Sequence, residues 1–119
     1  MRRFMVVNKS NRSLLAGNVR AADSFFGRLK GLLGKRGFST EDGLILFPCS
    51  MVHTIGMKTE IDVLFLSAID EIVYVIEKMR PNRISPYVKS SRYVVELPAG
   101  QVARTCTTKG HVISITQIY

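Results

Sequence analysis

The sequence has no tryptophan, only two cysteines and only four prolines in 119 residues. Cys49 and Cys106 cannot build a disulfide framework, and neither sits in a C-x-x-C pair. No apolar run approaches the roughly 18 residues that a membrane helix needs. Met1-Arg2-Arg3 opens like a secretory signal, but the apolar stretch behind it, residues 4–7, is too short for the hydrophobic core of one. These absences point to a soluble protein kept reduced in the cytoplasm. Familiar catalytic templates are missing as well: there is no G-x-S-x-G, no Walker loop and no G-x-G-x-x-G. Acids are scarce, nine Asp and Glu against 17 Lys and Arg, for a net charge of +8.

What is present is ordinary globular material, 46% hydrophobic and 22% charged. It is enough for one domain over residues 1–119 that closes a single core without staples. The charge is unevenly laid out. Residues 1–40 carry nine cations and one acid, residues 41–77 one cation and seven acids, and residues 78–119 seven cations and one acid. Two basic ends flank an acidic middle. If the ends meet on one side of the fold, they offer a surface to nucleic acid, to anionic lipid or to an acidic protein. The simpler reading is that the cations are solvated and keep a small domain soluble.

Hydrophobic periodicity predicts mostly strands. Residues 4–7 and 14–19 read as a strand pair joined by a turn over 8–12. The period then changes: Ala22, Phe25, Phe26, Leu29, Leu32 and Leu33 fall on one stripe of a helix. Asn18 is its expected cap, and Gly31 and Gly34 its stop. Residues 44–47 form a short apolar strand. Residues 49–57 alternate, with Cys49, Met51, His53, Ile55 and Met57 expected on the core face. Residues 61–66 and 72–76 are β-branched runs around Ser67-Ala68-Ile69-Asp70, a hairpin of two central strands. Residues 80–91, rich in Pro, Asn and Ser, are the longest loop. Residues 93–97 and 112–118 are strands, with one or two helical turns over 101–106 between them. The expected fold is mainly β: a small β-sandwich or partly closed barrel with one amphipathic helix near the N-terminus.

Six segments stand out by order and spacing. They are Arg28-Leu29-Lys30-Gly31-Leu32-Leu33, Gly43-Leu44-Ile45-Leu46, Cys49-Ser50-Met51-Val52-His53-Thr54-Ile55-Gly56-Met57, Ile61-Asp62-Val63-Leu64-Phe65-Leu66, Pro81-Asn82-Arg83-Ile84-Ser85-Pro86 and Val95-Glu96-Leu97-Pro98-Ala99-Gly100. In these the chain resembles the uncharacterised bacterial and archaeal family called domain of unknown function 192. The resemblance implies a compact, mostly β fold with a helix near its start, and no established activity. Two departures are visible. The family's Asp-x-x-Gly in the central hairpin is Ser67-Ala68-Ile69-Asp70 here, and its Gly-Asp near the end is Gly110-His111.

Two acids interrupt apolar strands: Asp62 between Ile61 and Val63, and Glu96 between Val95 and Leu97. A buried carboxylate is costly unless paired or hydrogen-bonded. Lys58, Arg83, His53 and Thr54 are the available companions. The expected site is therefore a polar cleft of His53, Thr54, Lys58, Asp62, Arg83 and Glu96 that binds a small polar or anionic ligand, with Arg83 as anion clamp. The protein is then a non-enzymatic binding or accessory module. A small hydrolase would use Asp62 or Glu96 as general base with His53. A purely structural alternative has both acids holding backbone N–H groups of the 80–91 loop. Nucleic-acid binding through the basic ends is a third possibility, without a recognised reading motif. No cofactor and no metal is expected. Cys49-x3-His53 followed by Cys106-x4-His111 superficially suggests zinc, but Cys49 and His53, four apart on a strand, lie about 13 Å from each other, too far for one tetrahedral ion.

Overall fold

Residues 2–22 and 41–118 are described by the structure, a computed structural model. The alternating segments become strands: β1 (Arg3–Asn8), β2 (Ser13–Ala22), β3 (Asp42–Leu46), β4 (Ile61–Leu66), β5 (Ile72–Met79), β6 (Tyr93–Pro98) and β7 (Ile113–Gln117). The helix α1 (Gln101–Arg104) is the one helix among the described residues. The strands form a single seven-stranded sheet in the order β5-β4-β6-β3-β2-β1-β7. The β2–β3 pair is parallel and the other pairs are antiparallel.

Turn chemistry fixes the hairpins. After β1, the Asn8 side-chain oxygen accepts the N–H groups of Ser10 and Asn11, and Arg12 takes a left-handed φ of 65°. Between β4 and β5, the Ser67 hydroxyl accepts the N–H groups of Ile69 and Glu71, and Asp70 takes φ 65°.

One sheet with two apolar faces must bury both. The concave face does so by curling into a half-barrel. Its core draws on the strands from both edges: Val6, Val19, Ile45, Leu64, Ile72, Val95 and Ile113, with Val102 of α1 added. At one place the sheet edges meet. Glu71 bridges Val112, the Ile72 N–H donates to the His111 carbonyl at 2.8 Å, and the Ile113 N–H donates to the Asp70 carbonyl at 2.9 Å. The fold is thus a partly closed barrel and not a sandwich of two sheets. The convex face over β3, β6 and β4 is covered by the chain between β3 and β4. Cys49, Val52 and Met57 pack there on Leu44, Leu46, Ile61, Val63, Phe65 and Val94.

The expected helix stripe after Ala22 lies outside the described residues. Its expected cap, Asn18, is in the interior of β2, where its side-chain oxygen accepts the Arg3 guanidinium at 2.6 Å. Residues 49–57 are not a regular strand, and their faces are reversed: Val52 and Thr54 point inward, Met51 and Ile55 outward. The buried Cys49 and Met57 belong to bends at either end, which defeats a straight period-two reading. Finally, β4 is buried along its whole length as expected, but β5 is an edge strand with Tyr74, Glu77 and Lys78 exposed.

Gly43 marks a close approach between neighbouring strands. A Cβ there would stand 3.1 Å from the Glu96 carbonyl oxygen, 3.1 Å from a Val19 methyl and 3.4 Å from Leu97. Gly43→Ala is expected to destabilise the fold by about 1–3 kcal/mol, the usual cost of overpacking a well-filled core. Urea denaturation measures it, and an unchanged midpoint would show that the strands are looser here than the distances imply.

Candidate functional site

The six residues expected to share a cleft are distributed over separate places. Asp62 is fully buried. It pairs across the ladder with Leu97, a concave-core residue, so its side chain enters the half-barrel. The β4–β5 register slips here: Ile61 opposes Met79 and Val63 opposes Ile76, so Asp62 faces two residues, Glu77 and Lys78. Such a bulge leaves a backbone donor out of the ladder. One Asp62 carboxylate oxygen accepts that donor, the Lys78 N–H, at 2.8 Å. The other accepts the Val102 N–H in the first turn of α1, also at 2.8 Å. Both contacts are to backbone, but neither is to the 80–91 loop.

Glu96 is also fully buried, but it pairs with Val63 and Leu44, both of the convex core. Side chains alternate along a strand, so Asp62 and Glu96 stand on opposite faces of the sheet. They do not converge on one ligand. Of the two acids offered as general base with His53, Asp62 lies on the face of the sheet away from the loops that carry His53.

His53, Thr54 and Arg83 do come together, in the two loops that cover the convex face. His53 bridges Ile84. Its Nδ1 accepts the Ile55 N–H at 3.2 Å, which makes Nδ1 the unprotonated nitrogen. Thr54 is buried; its hydroxyl donates to the Arg80 carbonyl and accepts the Arg83 N–H at 2.9 Å. Thr54 is therefore one of the residues that hold the 80–91 loop down. The Arg83 side chain is exposed, with its guanidinium 3.4 Å from the Asn82 carbonyl, and Lys58 is exposed beyond Met57. Cys49 is buried and its thiol donates to the Met51 carbonyl at 3.2 Å, whereas Cys106 is exposed. Among the described residues, no three His, Cys, Asp or Glu side chains gather where they could hold a metal ion.

A different place has the shape of a site. The Ile113 N–H already reaches Asp70 in the β4–β5 turn, so the rest of β7 runs on past the start of β5. This stagger leaves a cleft of about 450 Å³ at one end of the half-barrel. Its apolar wall is Phe4, Ala21, Ile45, Phe47, Ala68 and Ile115, and its polar groups are Asp70, Arg92 and Tyr93. The Tyr93 phenol donates to the Asp70 carboxylate at 2.7 Å. Burial first, and then the hydrogen bond to Asp70 and the charge of that carboxylate, hold the phenol well above its ordinary pKa, so it stays protonated. The Arg92 guanidinium sits 5.5 Å from the Phe47 ring centroid, within cation–π range.

Sequence reasoning missed this cleft because its polar residues come from a turn, a loop end and a strand start. One signal was available: Asp70 departs from the family's hairpin pattern, and so places a carboxylate at the mouth.

The family model of domain of unknown function 192 (DUF192), described as an uncharacterised ACR, matches residues 6–115. The chain belongs to this family. Among DUF192 relatives, a UPF0127 protein of Thermococcus sibiricus is 30% identical over 103 residues, covering 82% of this chain and 66% of its own. One from Pyrococcus horikoshii is 33% identical over 101 residues, 81% of this chain and 85% of its own. The chain thus spans just under two thirds of the Thermococcus relative. Two crystal structures share the fold, each with a TM-score of 0.78. One, a protein of unknown function from Novosphingobium aromaticivorans, is 18% identical and covers 94% of this chain and 83% of its own. The other, from Sinorhizobium meliloti and described as a candidate transcription regulator, is 24% identical and covers 95% and 92%.

Asp62→Asn keeps the size of the side chain but turns an amide N–H₂ toward a backbone donor. It is expected to cost about 1.5–3 kcal/mol, the worth of a hydrogen bond to a charged group. Asp62→Ala leaves both backbone donors buried and should cost more. Equilibrium unfolding reads both, and wild-type stability in the alanine variant would refute the structural role. Thr54→Val is expected to cost about 1–3 kcal/mol through lost loop hydrogen bonds. Hydrogen exchange should show faster exchange at the Arg83 amide than at β4 amides.

Proposed function

We propose that this DUF192 half-barrel is a small-ligand-binding module, and that its site is the cleft at the staggered end of the sheet. The observation that carries this reading is the combination of an apolar wall with three convergent polar residues in about 450 Å³. Binding pockets for small molecules share that size and that balance of many apolar and few polar groups. The ligand that suits it has an apolar body and one anionic group. The body lies against Phe4, Ile45 and Ile115, and the anion meets Arg92. Tyr93 and Asp70 satisfy each other and shape the opposite side.

Titration of isotope-labelled protein with decanoate and with phenylacetate tests this. Saturable shifts are expected at the amides of Phe4, Ile45, Ala68 and Ile115. Arg92→Ala should weaken binding about tenfold, since a hydrogen bond to a charged group is worth at least about 1.5 kcal/mol. Ala68→Trp should abolish it by filling the cleft. No saturable shift with either probe, or equal shifts in Ala68→Trp, would overturn the reading.

A second reading is nucleic-acid binding through the basic ends. Two observations favour it: β1 lies between β2 and β7, and Arg3 faces Arg20 across the β1–β2 ladder. Against it, β7 itself carries no charge. Most cations of the last third lie on β5 and in the chain between β5 and β6. Salt-sensitive retention of a DNA duplex that Arg3→Glu/Arg20→Glu removes would favour this reading over the cleft.

A further inference from the structure

The two loops over the convex face form a ribbon that carries Met51, Ile55, Ile84 and Tyr87, four of the nine exposed large hydrophobics among the described residues. The Ser85 N–H donates to the Val52 carbonyl at 2.9 Å, the Thr54 N–H to the Arg83 carbonyl at 2.8 Å and the Val88 N–H to the Ser50 carbonyl at 2.8 Å. Residues 50–54 and 83–88 are thus paired antiparallel, with His53 opposite Ile84. The inner side is anchored: Val52 packs in the convex core, and Thr54 and Ser85 are buried. The outer side therefore shows large apolar groups on a firmly held support. Met51 is 47% exposed, Ile55 53%, Ile84 65% and Tyr87 68%, with His53 half-buried among them in sequence and pairing.

Exposed apolar groups clustered in this way mark an interaction surface more often than scattered ones do. Their surroundings carry charge of one sign. Lys58, Arg80, Arg83 and Lys89 are all exposed, and residues 50–58 and 80–90 contain no acid. We infer that this ribbon is a docking surface for an acidic, amphipathic segment of a partner protein, whose apolar side chains cover Met51, Ile55, Ile84 and Tyr87 while its carboxylates meet the four cations. This surface is separate from the cleft and goes beyond ligand binding there.

Charge complementarity selects an acidic partner. The apolar anchors select protein over nucleic acid. A single-strand binder needs flat rings for bases, whereas this surface offers two isoleucines, a methionine and one tyrosine. The cations also alternate with the anchors along the chain, Arg83-Ile84 and Tyr87 followed by Lys89, instead of rimming an apolar tip. That interleaving matches a chain with interspersed acidic and apolar side chains better than it matches a bilayer.

Fluorescence anisotropy with a labelled peptide of four Glu-Leu-Asp-Phe repeats tests the assignment. Binding is expected, and it should weaken about tenfold or more in Ile84→Ser/Tyr87→Ser and in Arg83→Glu/Lys89→Glu, with both variants folded by circular dichroism. Lys109→Glu, on the loop before β7, should leave it unchanged. A peptide of four Glu-Ser-Asp-Ser repeats should bind at least tenfold more weakly. Equal binding of the two peptides, or no effect of the ribbon substitutions, would overturn the proposal. So would tighter, ribbon-dependent binding of oligothymidylate or of phosphatidylglycerol vesicles, which would reassign the surface to nucleic acid or to a membrane.

Discussion

Asp62 carries a carboxylate into the interior of the half-barrel, and the two backbone donors it accepts connect three parts of the molecule. Lys78 belongs to the bulge of an edge strand, Val102 to the helix that fills the concave core, and Asp62 itself to the most completely buried strand. Taking a charge out of water is expensive, and replacing hydration with well-placed N–H groups is the condition for doing so. The same contacts satisfy donors that a bulge and a helix start otherwise leave without partners. The carboxylate and the two irregularities require each other.

The strand pattern was legible to a large extent because turn residues and alternation agree locally. The runs at 4–7, 14–19, 44–47, 61–66, 72–76, 93–97 and 112–118 all fall on observed strands. The arrangement was less legible. Nothing in the β-branched run of β5 distinguishes an edge from a centre, because its burial comes from the far end of the chain folding onto it. The 49–57 segment misled for a related reason: its alternation is real, but it lines a cover whose bends bury Cys49 and Met57 out of phase. Of the six residues selected for a site, Asp62 and Glu96 are both buried, and Asp62 accepts two backbone N–H groups. Their placement on opposite faces depends on the one-residue offset between neighbouring strands, which no local pattern reveals.

The two departures from the family pattern have a common logic. Ser67 accepts the turn's N–H groups with a hydroxyl, the task for which an Asp side chain is suited. Asp70 adopts the left-handed conformation that a glycine would take most easily. With Asp70 in that position, the turn supplies a carboxylate for Tyr93. Near the other end, His111 Nδ1 lies 3.3 Å from the Thr108 N–H and 3.0 Å from the Asn8 amide nitrogen. A backbone N–H can only donate, so the His111 imidazole nitrogen is its acceptor here.

The bulge in β5 also affects how copies of this chain meet. An unpaired strand at the margin of a sheet is a template on which a second molecule can continue the ladder. Here the margin is kinked where Lys78 turns to a φ of 51°, and Glu77 and Lys78 project charge beside the kink. The buried carboxylate that accepts the Lys78 N–H therefore acts on the outline of that margin from inside the barrel. A chain deprived of it would present a straighter border, open to self-association.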